Sequence, residues 1–234
     1  MQVLTCGSRD GRSRARVQAT RDLVEKLGGR PGPLFGEILD REFYELLLRG
    51  APEPFHAWVD ALRDAWLAAP PAFVVIDAWQ LYSVAHDLVH VMARVAAAEV
   101  ETRLGLPLAC LDYPVVPPTL AAQVPVGPSK VEVRLSSEQL ERKLACVYAY
   151  PEIAHEIAEF TKAAGLETLA TEALHAPPPL ECLAPEPGVI PEYERYGAER
   201  VASGTYATAL RWAHVQAIYA SLVTRFKAVG KVPA

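Results

Sequence analysis

Short apolar runs alternate with helical patterns along the first half of the chain. The runs 1–6, 73–76 and 106–111 contain few polar residues and predict strands. The run 73–76 is continuous, which is typical of a strand covered on both faces. Apolar residues at helical spacing fill 13–27 and 83–104, and the second of these helices has Ser83 as its predicted N-cap. Strand, helix, strand thus occurs twice, which favours a mostly parallel sheet.

The remaining segments predict further helices and one edge strand. Apolar residues lie at helical spacing over 35–49 and 55–67, and the last long helical pattern covers about 205–229. The segment 131–135 alternates polar and apolar residues like an edge strand. Ser136 and Gln139 then have the spacing of a capping box, which predicts a helix toward Tyr148.

These patterns predict a single α/β domain over 1–234. We expect a Rossmann-like three-layer sandwich with a mostly parallel sheet, whose sheet-forming core occupies 1–135. Prolines are frequent after the third strand and again over 180–191, where they interrupt regular structure. The part 136–234 is therefore predicted to be mainly helical and Pro-rich, and it could form either a lid or an interface.

Composition narrows the classes of partner. The chain has a net charge of −5 and an isoelectric point near 5.7, so no broad basic surface is expected to bind nucleic acid or an anionic membrane. No run reaches the roughly 18 apolar residues of a membrane span, and no signal-peptide pattern is present, which predicts a cytoplasmic protein. The four cysteines are scattered without a CxxC pair and predict reduced thiols. We expect a small-molecule partner, and these properties are also compatible with a homo-oligomer.

The lack of asparagine and the preference for arginine over lysine are typical of a GC-rich bacterial gene or of a heat-adapted one.

The densest side-chain chemistry lies at the junction from Asp77 to His90. Ligands of open α/β sheets bind beyond the carboxyl ends of strands, and Asp77 directly follows such a strand. His86 and His90 are four residues apart on a helix, so they lie about 40° apart on one face. Two imidazoles with a carboxylate from Asp77 or Asp10 could hold a divalent metal, most simply zinc, with an open position for water.

Two other interpretations of the histidines remain open. The same helix is apolar nearly all round, so both histidines could be hydrogen-bonded core residues. Alternatively, His86 with Asp87 or Asp77 could perform acid–base chemistry without a metal.

Other candidate site residues are more dispersed. Arg9 and Arg12 precede or open a helix whose N-terminus favours anions, so they could bind a phosphate or carboxylate of a substrate. Tyr82, in the junction, and Lys143, on the helix after the edge strand, are further candidates for substrate binding. Glu37 could serve as a general base.

The order of these features resembles the LmbE/PIG-L type of metal-dependent N-deacetylase. The resemblance rests on a first strand with a polar loop, an acidic strand end, a His-bearing helix start and the run 143–150, and it covers about two thirds of the chain. It implies a Rossmann-like fold and zinc-dependent hydrolysis of an amide, with Asp10 and His86 as metal ligands and Lys143 in a matching helix. The family's His-Pro-Asp-Asp loop is replaced here by the residues 7–10, Gly-Ser-Arg-Asp.

Three functions follow as hypotheses. The first is a metal-dependent hydrolase of an amide or ester bond in a small molecule, with Asp77, Asp87 or Glu37 as catalytic groups. The second is a binding protein for an anionic small metabolite, without catalysis or without a metal. The third is a structural subunit of a complex, suggested by the all-round apolar helix.

Overall fold

The computed structural model describes residues 1–7, 13–116, 127–150, 154, 157–158, 160–162 and 165–229. The chain divides into two compact units, each made of two stretches. The first unit contains Met1–Leu39 and Ser129–Leu174, and the second contains Asp40–Pro128 and His175–Ala234. A single domain with a division near residue 135 stays a prediction.

The described elements, in chain order, are β1 (Val3–Thr5), α1 (Ser13–Lys26), β2 (Phe35–Ile38), α2 (Asp40–Arg49), α3 (Glu53–Ala68), β3 (Phe73–Asp77), α4 (Val84–Leu104), β4 (Ala109–Tyr113), β5 (Ser129–Arg134), α5 (Ser137–Tyr148), β6 (Thr171–His175), α6 (Glu192–Ala202) and α7 (Trp212–Val229). Short 3₁₀ turns occupy Leu166–Ala170 and Leu180–Cys182. The mixed α/β class is therefore confirmed. No helix among the described residues is long and apolar enough to cross a membrane.

The predicted mostly parallel, Rossmann-like sheet is not supported. β1 and β2 pair in parallel in a sheet of their own within the first unit. In the second unit β3 and β4 are parallel from Phe73↔Ala109 to Asp77↔Tyr113, but Asp112 pairs antiparallel with His175 at the end of β6. The sequence around β6 carries no clear alternating pattern, so its presence and direction depend on tertiary pairing.

The helix predicted over 35–49 is wrong in its first five residues, of which the first four form a strand. This strand is β2, and the helix α2 begins only at Asp40. Gly36 explains the difference, because its φ of +73° lies in the left-handed region. A Cβ at this position would lie 2.5 Å from Cγ2 of Val17, so the strand passes α1 at a distance that only glycine permits.

The core of the second unit is built around α4, which packs against α3 and α7. Ser83 occupies its predicted N-cap position, but its side chain makes no capping hydrogen bond among the described residues. Gly105 ends the helix with a left-handed φ of 64°, as the sequence predicts. Ala97, Val100 and Leu108 form one buried cluster with Val74 packed against it. The helix is buried nearly all round, in agreement with its composition.

One face of β3 is more exposed than the sequence predicts. Phe73 and Val75 are 55% and 45% exposed, whereas Ile76, on the alternate face, is buried. The continuous apolar run predicted cover on both faces, but α4 and its neighbours cover only the face that carries Val74 and Ile76. Periodicity alone could not show that the second layer of the sandwich is missing among the described residues.

The capping box that opens α5 is confirmed in the first unit. The Ser136 hydroxyl accepts from the backbone N–H of Gln139, and the Gln139 side chain accepts from the backbone N–H of Ser136. Two amide groups at the helix start are thereby satisfied, which fixes where β5 ends and α5 begins.

Candidate functional site

The site lies where β3 ends and α4 begins in the second unit. β3 ends at Asp77, and the N–H of Ala78 still donates to the carbonyl of Tyr113 at the end of β4 (2.8 Å). The chain then turns through the loop 78–83 into α4. Residues in the first turns of α4 are thus brought back over the carboxyl end of the strand.

Asp77 and His86 form a hydrogen-bonded pair at this junction. Nδ1 of His86 lies 2.6 Å from Oδ2 of Asp77. The side chains are 45% and 37% exposed, respectively, so the pair is open to solvent. When the carboxylate accepts this bond, neutral His86 carries its proton on Nδ1 and keeps a free lone pair on Nε2.

The charge state of His86 reflects two opposed effects. Burial lowers the pKa of His86, but the hydrogen bond to Asp77 and the charges of this and two further aspartates outweigh it. The pKa therefore lies above the ordinary value of 6.5. An imidazole in this state can take up and release a proton near neutral pH.

His90 lies one helical turn deeper and is fully buried. Its Nδ1 is 3.0 Å from the backbone carbonyl of Asp77 and 3.4 Å from Oδ1 of Asp112. Since a carbonyl accepts, Nδ1 of His90 carries the proton. Burial, with the charge of Arg94, lowers the pKa of His90 to about 4. The predicted co-facing histidines thus share Asp77 as a partner, but only His86 meets solvent.

Asp87 holds the loop between strand and helix. Its Oδ1 accepts from the backbone N–H groups of Gln80 (2.8 Å) and Leu81 (3.2 Å). Leu81 has a φ of 54°, which is uncommon for a residue with a side chain, and its carbonyl accepts from the N–H of Glu192. These bonds fix the backbone on both sides of a strained residue, so Asp87 positions the junction.

Gln80 joins this loop to the segment after β4. Its Oε1 accepts from the N–H groups of Val115 (2.7 Å) and Val116 (3.0 Å), and its Nε2 donates to the Val116 carbonyl (2.7 Å). Gln80 is only 5% exposed. The carboxyl ends of β3 and β4 are therefore held together by one side chain.

Buried polar atoms without a hydrogen-bond partner among the described residues concentrate here. Burial raises the pKa of Asp87 to about 7, with its backbone hydrogen bonds opposing the shift. Burial also raises the pKa of Asp112 to about 7, against the charge of Arg94. Each of these carboxyls therefore binds a proton more readily than an exposed aspartate does. The unpartnered atoms are Trp79 Nε1, Asp87 Oδ2, His90 Nε2, Asp112 Oδ1 and Tyr193 Oη.

The other predicted site residues that the structure describes lie on separate elements. Tyr82 lies in the same loop and is 38% exposed. Glu37, in β2, and Lys143, in α5, belong to the first unit. Nζ of Lys143 forms an ion pair with Glu172 and donates to the carbonyl of Leu169. Substrate binding by Tyr82 and Lys143 and general-base catalysis by Glu37 stay predictions.

The residues predicted to bind an anion or complete a metal site lie outside the described part of the chain. They are Arg9, Arg12 and Asp10.

The described part of the chain does not by itself contain a complete metal site. No group of three His, Cys, Asp or Glu side chains within the described ranges is arranged to hold one. His86 uses Nδ1 for Asp77, and His90 uses Nδ1 for a carbonyl and is enclosed in the core. Zinc bound by Asp10, His86 and His90 stays a prediction, and no chemical step is derived through it.

Asp112 directly follows the predicted strand 106–111, but sequence reasoning did not pair it with His90, and it missed Gln80 as a partner in this site. Both follow or flank a strand end, which was the available signal. Their contacts join residues about 20 to 35 positions apart, so local patterns could not pair them.

A second histidine pair, His56 with Ser221, is arranged differently. Nε2 of His56 is 2.8 Å from Oγ of Ser221, but Nη1 of Arg225 lies 3.4 Å from Nδ1 of the same ring. Arginine only donates, so Nδ1 accepts and Nε2 donates to the serine. This tautomer cannot take the serine proton, and the pair therefore does not form an activated nucleophile.

No family model, curated protein or solved structure matches this chain.

Proposed function

We propose that the protein hydrolyses an amide or ester bond of a small molecule, with His86 as general base and Asp77 as its orienting partner. The supporting observation is the 2.6 Å hydrogen bond between Nδ1 of His86 and Oδ2 of Asp77. Both side chains are more than one third exposed, so Nε2 can meet a substrate and water. The pair also lies beyond the carboxyl end of a parallel strand, where α/β proteins bind ligands.

In the first step His86 activates water. Its Nε2 takes a proton from a water molecule while the water oxygen bonds to the substrate carbonyl carbon, and the carbonyl becomes a tetrahedral oxyanion. The imidazolium that forms keeps its Nδ1–H on Asp77, whose negative charge stabilises it.

In the second step the proton returns. The tetrahedral intermediate re-forms the carbonyl and breaks its bond to the amine or alkoxide, and Nε2–H of His86 protonates that leaving group. The products are a carboxylic acid and an amine or alcohol, and His86 returns to its neutral form. Asp87 does not touch the substrate in this mechanism, because it is buried and holds the loop.

A panel of N-acetyl and O-acetyl small molecules, including p-nitrophenyl acetate, tests the proposal through release of acetate. We expect His86→Gln and Asp77→Asn to lower kcat/KM by roughly 10²- to 10⁴-fold, as for loss of a general base. His214→Gln is the matched control, since His214 lies in α7 and its Nδ1 accepts from the neighbouring backbone N–H of Arg211. A wild-type protein inactive on the whole panel, or a His86→Gln variant as active as wild type, contradicts the proposal.

Chelation separates the metal-free mechanism from the zinc hypothesis. We expect hydrolysis to persist in excess chelator, because His86 and Asp77 act without a third ligand. Loss of activity with chelator and recovery with zinc would instead favour the zinc site, and Asp10→Ala would then abolish the recovery.

A further inference from the structure

The edge strand β5 is exposed along its whole length. All six residues of Ser129–Arg134 are exposed, and Val131 and Val133 are 42% and 47% exposed. Removing such exposed apolar side chains from water is favourable, so burial of this face against a partner would stabilise a complex. The helix that follows, α5, also has no fully buried residue.

Only one side of β5 is paired among the described residues. β6 is its neighbour, and the N–H of Leu135, just after the strand, donates to the carbonyl of Ala170, just before β6 (2.7 Å). No other described strand lies beside β5. An open strand edge presents backbone donors and acceptors on which another strand can pair.

The side chains of β5 are complementary to a second copy of the same strand. Apolar residues at 131, 133 and 135 alternate with the charged residues Lys130, Glu132 and Arg134. An antiparallel partner related by a two-fold axis at Val133 places Glu132 opposite Arg134 of the second copy, twice by symmetry. It also places Val133 opposite its own copy and Val131 opposite Leu135 of the second copy.

Other pairings of two copies are less favourable. A parallel, in-register pairing would place Glu132 beside Glu132 and Arg134 beside Arg134, and like charges directly opposite are destabilising. An antiparallel pairing centred on Val131 opposes Lys130 and Glu132, but it sets Val133 against Ser129. Of these three pairings, only the antiparallel one centred on Val133 combines two opposite-charge pairs with three apolar pairs.

We infer that β5 is a homodimer interface, in which two copies of the chain pair antiparallel about a two-fold axis at Val133. A strand whose charges were all of one sign would repel its own copy. Here Glu132 and Arg134 carry opposite charges, so in this register each of them faces the opposite charge on the second copy. Because two paired strands bury less area than a standard interface, we expect a dissociation constant of roughly tens of micromolar.

Exchanging the charges of Glu132 and Arg134 tests the pairing. Sedimentation of the full chain at concentrations up to about 200 µM measures the dissociation constant. Glu132→Arg and Arg134→Glu each create two like-charge pairs, and each should raise the dissociation constant roughly tenfold or more. The double variant restores opposite charges and should return the constant toward wild type. All four side chains involved are on the surface, and circular dichroism checks that the fold is kept. A monomeric wild type at the highest concentration, or a double variant as weak as the single ones, overturns the inference.

A disulfide test fixes the register. In a Cys182→Ser background, because Cys182 is exposed, Val133→Cys should cross-link into dimers under mild oxidation with diamide. Directly opposed residues have Cα atoms about 4.5 to 5.5 Å apart, within the range of a disulfide. Val131→Cys is the matched control, since its two copies would lie about 14 Å apart. Cross-linking at 131 but not at 133 overturns the two-fold at Val133.

Discussion

At the scale of single residues, depth decides what each histidine of α4 can do. His86 and His90 face the same side of the helix and both bond to Asp77. His86 bonds to the carboxylate near solvent, whereas His90 bonds to the main-chain carbonyl in a dry environment. One turn of helix therefore separates an imidazole that is open to solvent from one that is buried.

Histidine titration followed by NMR should separate the two rings. We expect His86 to titrate with a midpoint above 6.5, since Asp77 and its neighbours favour the charged ring more than burial disfavours it. His90 should remain neutral down to about pH 4.

Asp77→Asn provides the control for this titration. It removes the charge beside His86 and should lower the His86 midpoint. His90 keeps its carbonyl partner and loses only the through-space attraction of the Asp77 charge, so its midpoint should fall less. An unchanged His86 midpoint in Asp77→Asn would mean that the carboxylate does not set its pKa.

The sequence predicted the co-facing geometry of these histidines, but not their depth. Spacing of four residues fixes a shared helix face, and the observed contacts agree. The proportion of each ring that meets solvent depends on β4 and on Asp112, which is 22 residues beyond His90 in the chain. Such long-range packing leaves no local signal in a single sequence.

At the scale of elements, the connection from β3 to α4 is held by hydrogen bonds rather than by apolar packing alone. Asp87 accepts two N–H groups, and Gln80 joins the loop to the chain after β4. This rigid turn is what keeps Asp77 and His86 within bonding distance.

Asp87→Ala should loosen that turn and destabilise the fold. Two buried N–H groups lose their acceptor, and each costs about 1 to 3 kcal/mol, so we expect a loss of at least about 2 kcal/mol in the free energy of unfolding. Asp87→Asn keeps Oδ1 as an acceptor and should lose much less. Urea denaturation measures both, and equal losses would show that the hydrogen bonds at Oδ1 are not the cause.

Gly36→Ala tests the tight passage of β2 past α1. The added Cβ meets Val17 at 2.5 Å and the φ of +73° is unfavourable for alanine, so we expect a loss of about 2 to 4 kcal/mol. Gly50→Ala is the matched control, because its φ of +63° is similar but nothing lies within 4 Å of the new Cβ. Its loss should be only about 1 to 2 kcal/mol. A loss at Gly36 no larger than at Gly50 would argue against the steric explanation.

Elements with strong local signals were predicted, and those fixed by pairing were not. The capping box at Ser136 and the left-handed Gly105 placed the boundaries of α5 and α4 correctly. β2 was assigned to a helix because Ile38 and the apolar residues after it share helical spacing with α2. Pairing with β1 overrides that spacing at Phe35–Ile38.

At the scale of the whole molecule, buried ionisable groups make stability depend on pH. The pKa of Asp112 is raised to about 7, so the folded state binds its proton more tightly than the unfolded chain does. The contribution of Asp112 to stability is therefore full below about pH 4 and is lost as the pH rises toward 7. His90 acts oppositely, since its pKa is lowered to about 4 and its contribution is lost as the pH falls below 6.5.

Asp112→Asn should remove one part of this dependence. The neutral amide resembles the protonated carboxyl, so we expect the variant to gain stability relative to wild type at pH 8 compared with pH 4. Urea denaturation at the two pH values measures the difference. An identical pH dependence in both proteins would contradict the raised pKa of Asp112 in the folded state.

The predicted architecture of the molecule was only partly correct. Repeated strand–helix–strand patterns do indicate an α/β protein, and β3 and β4 are parallel as expected. The antiparallel pairing of His175 with Asp112 could not be foreseen, because strand direction is fixed by where distant segments return. The exposure of Phe73 and Val75 could not be predicted for a similar reason. Whether a second layer covers that face of β3 depends on distant segments and not on the sequence of the strand itself.

Asp77 contributes to the molecule through two separate groups, and this has a consequence for sequence change. The bond to His86 uses the side chain and disappears with most substitutions, but the bond to His90 uses the main-chain carbonyl, which every amino acid carries. Substitutions at position 77 can therefore accumulate under relaxed selection while the buried His90 keeps its hydrogen-bond partner. A descendant that has lost the surface pair would still inherit the His90 contact in the core, so the proposed activity and foldability can diverge at this single codon.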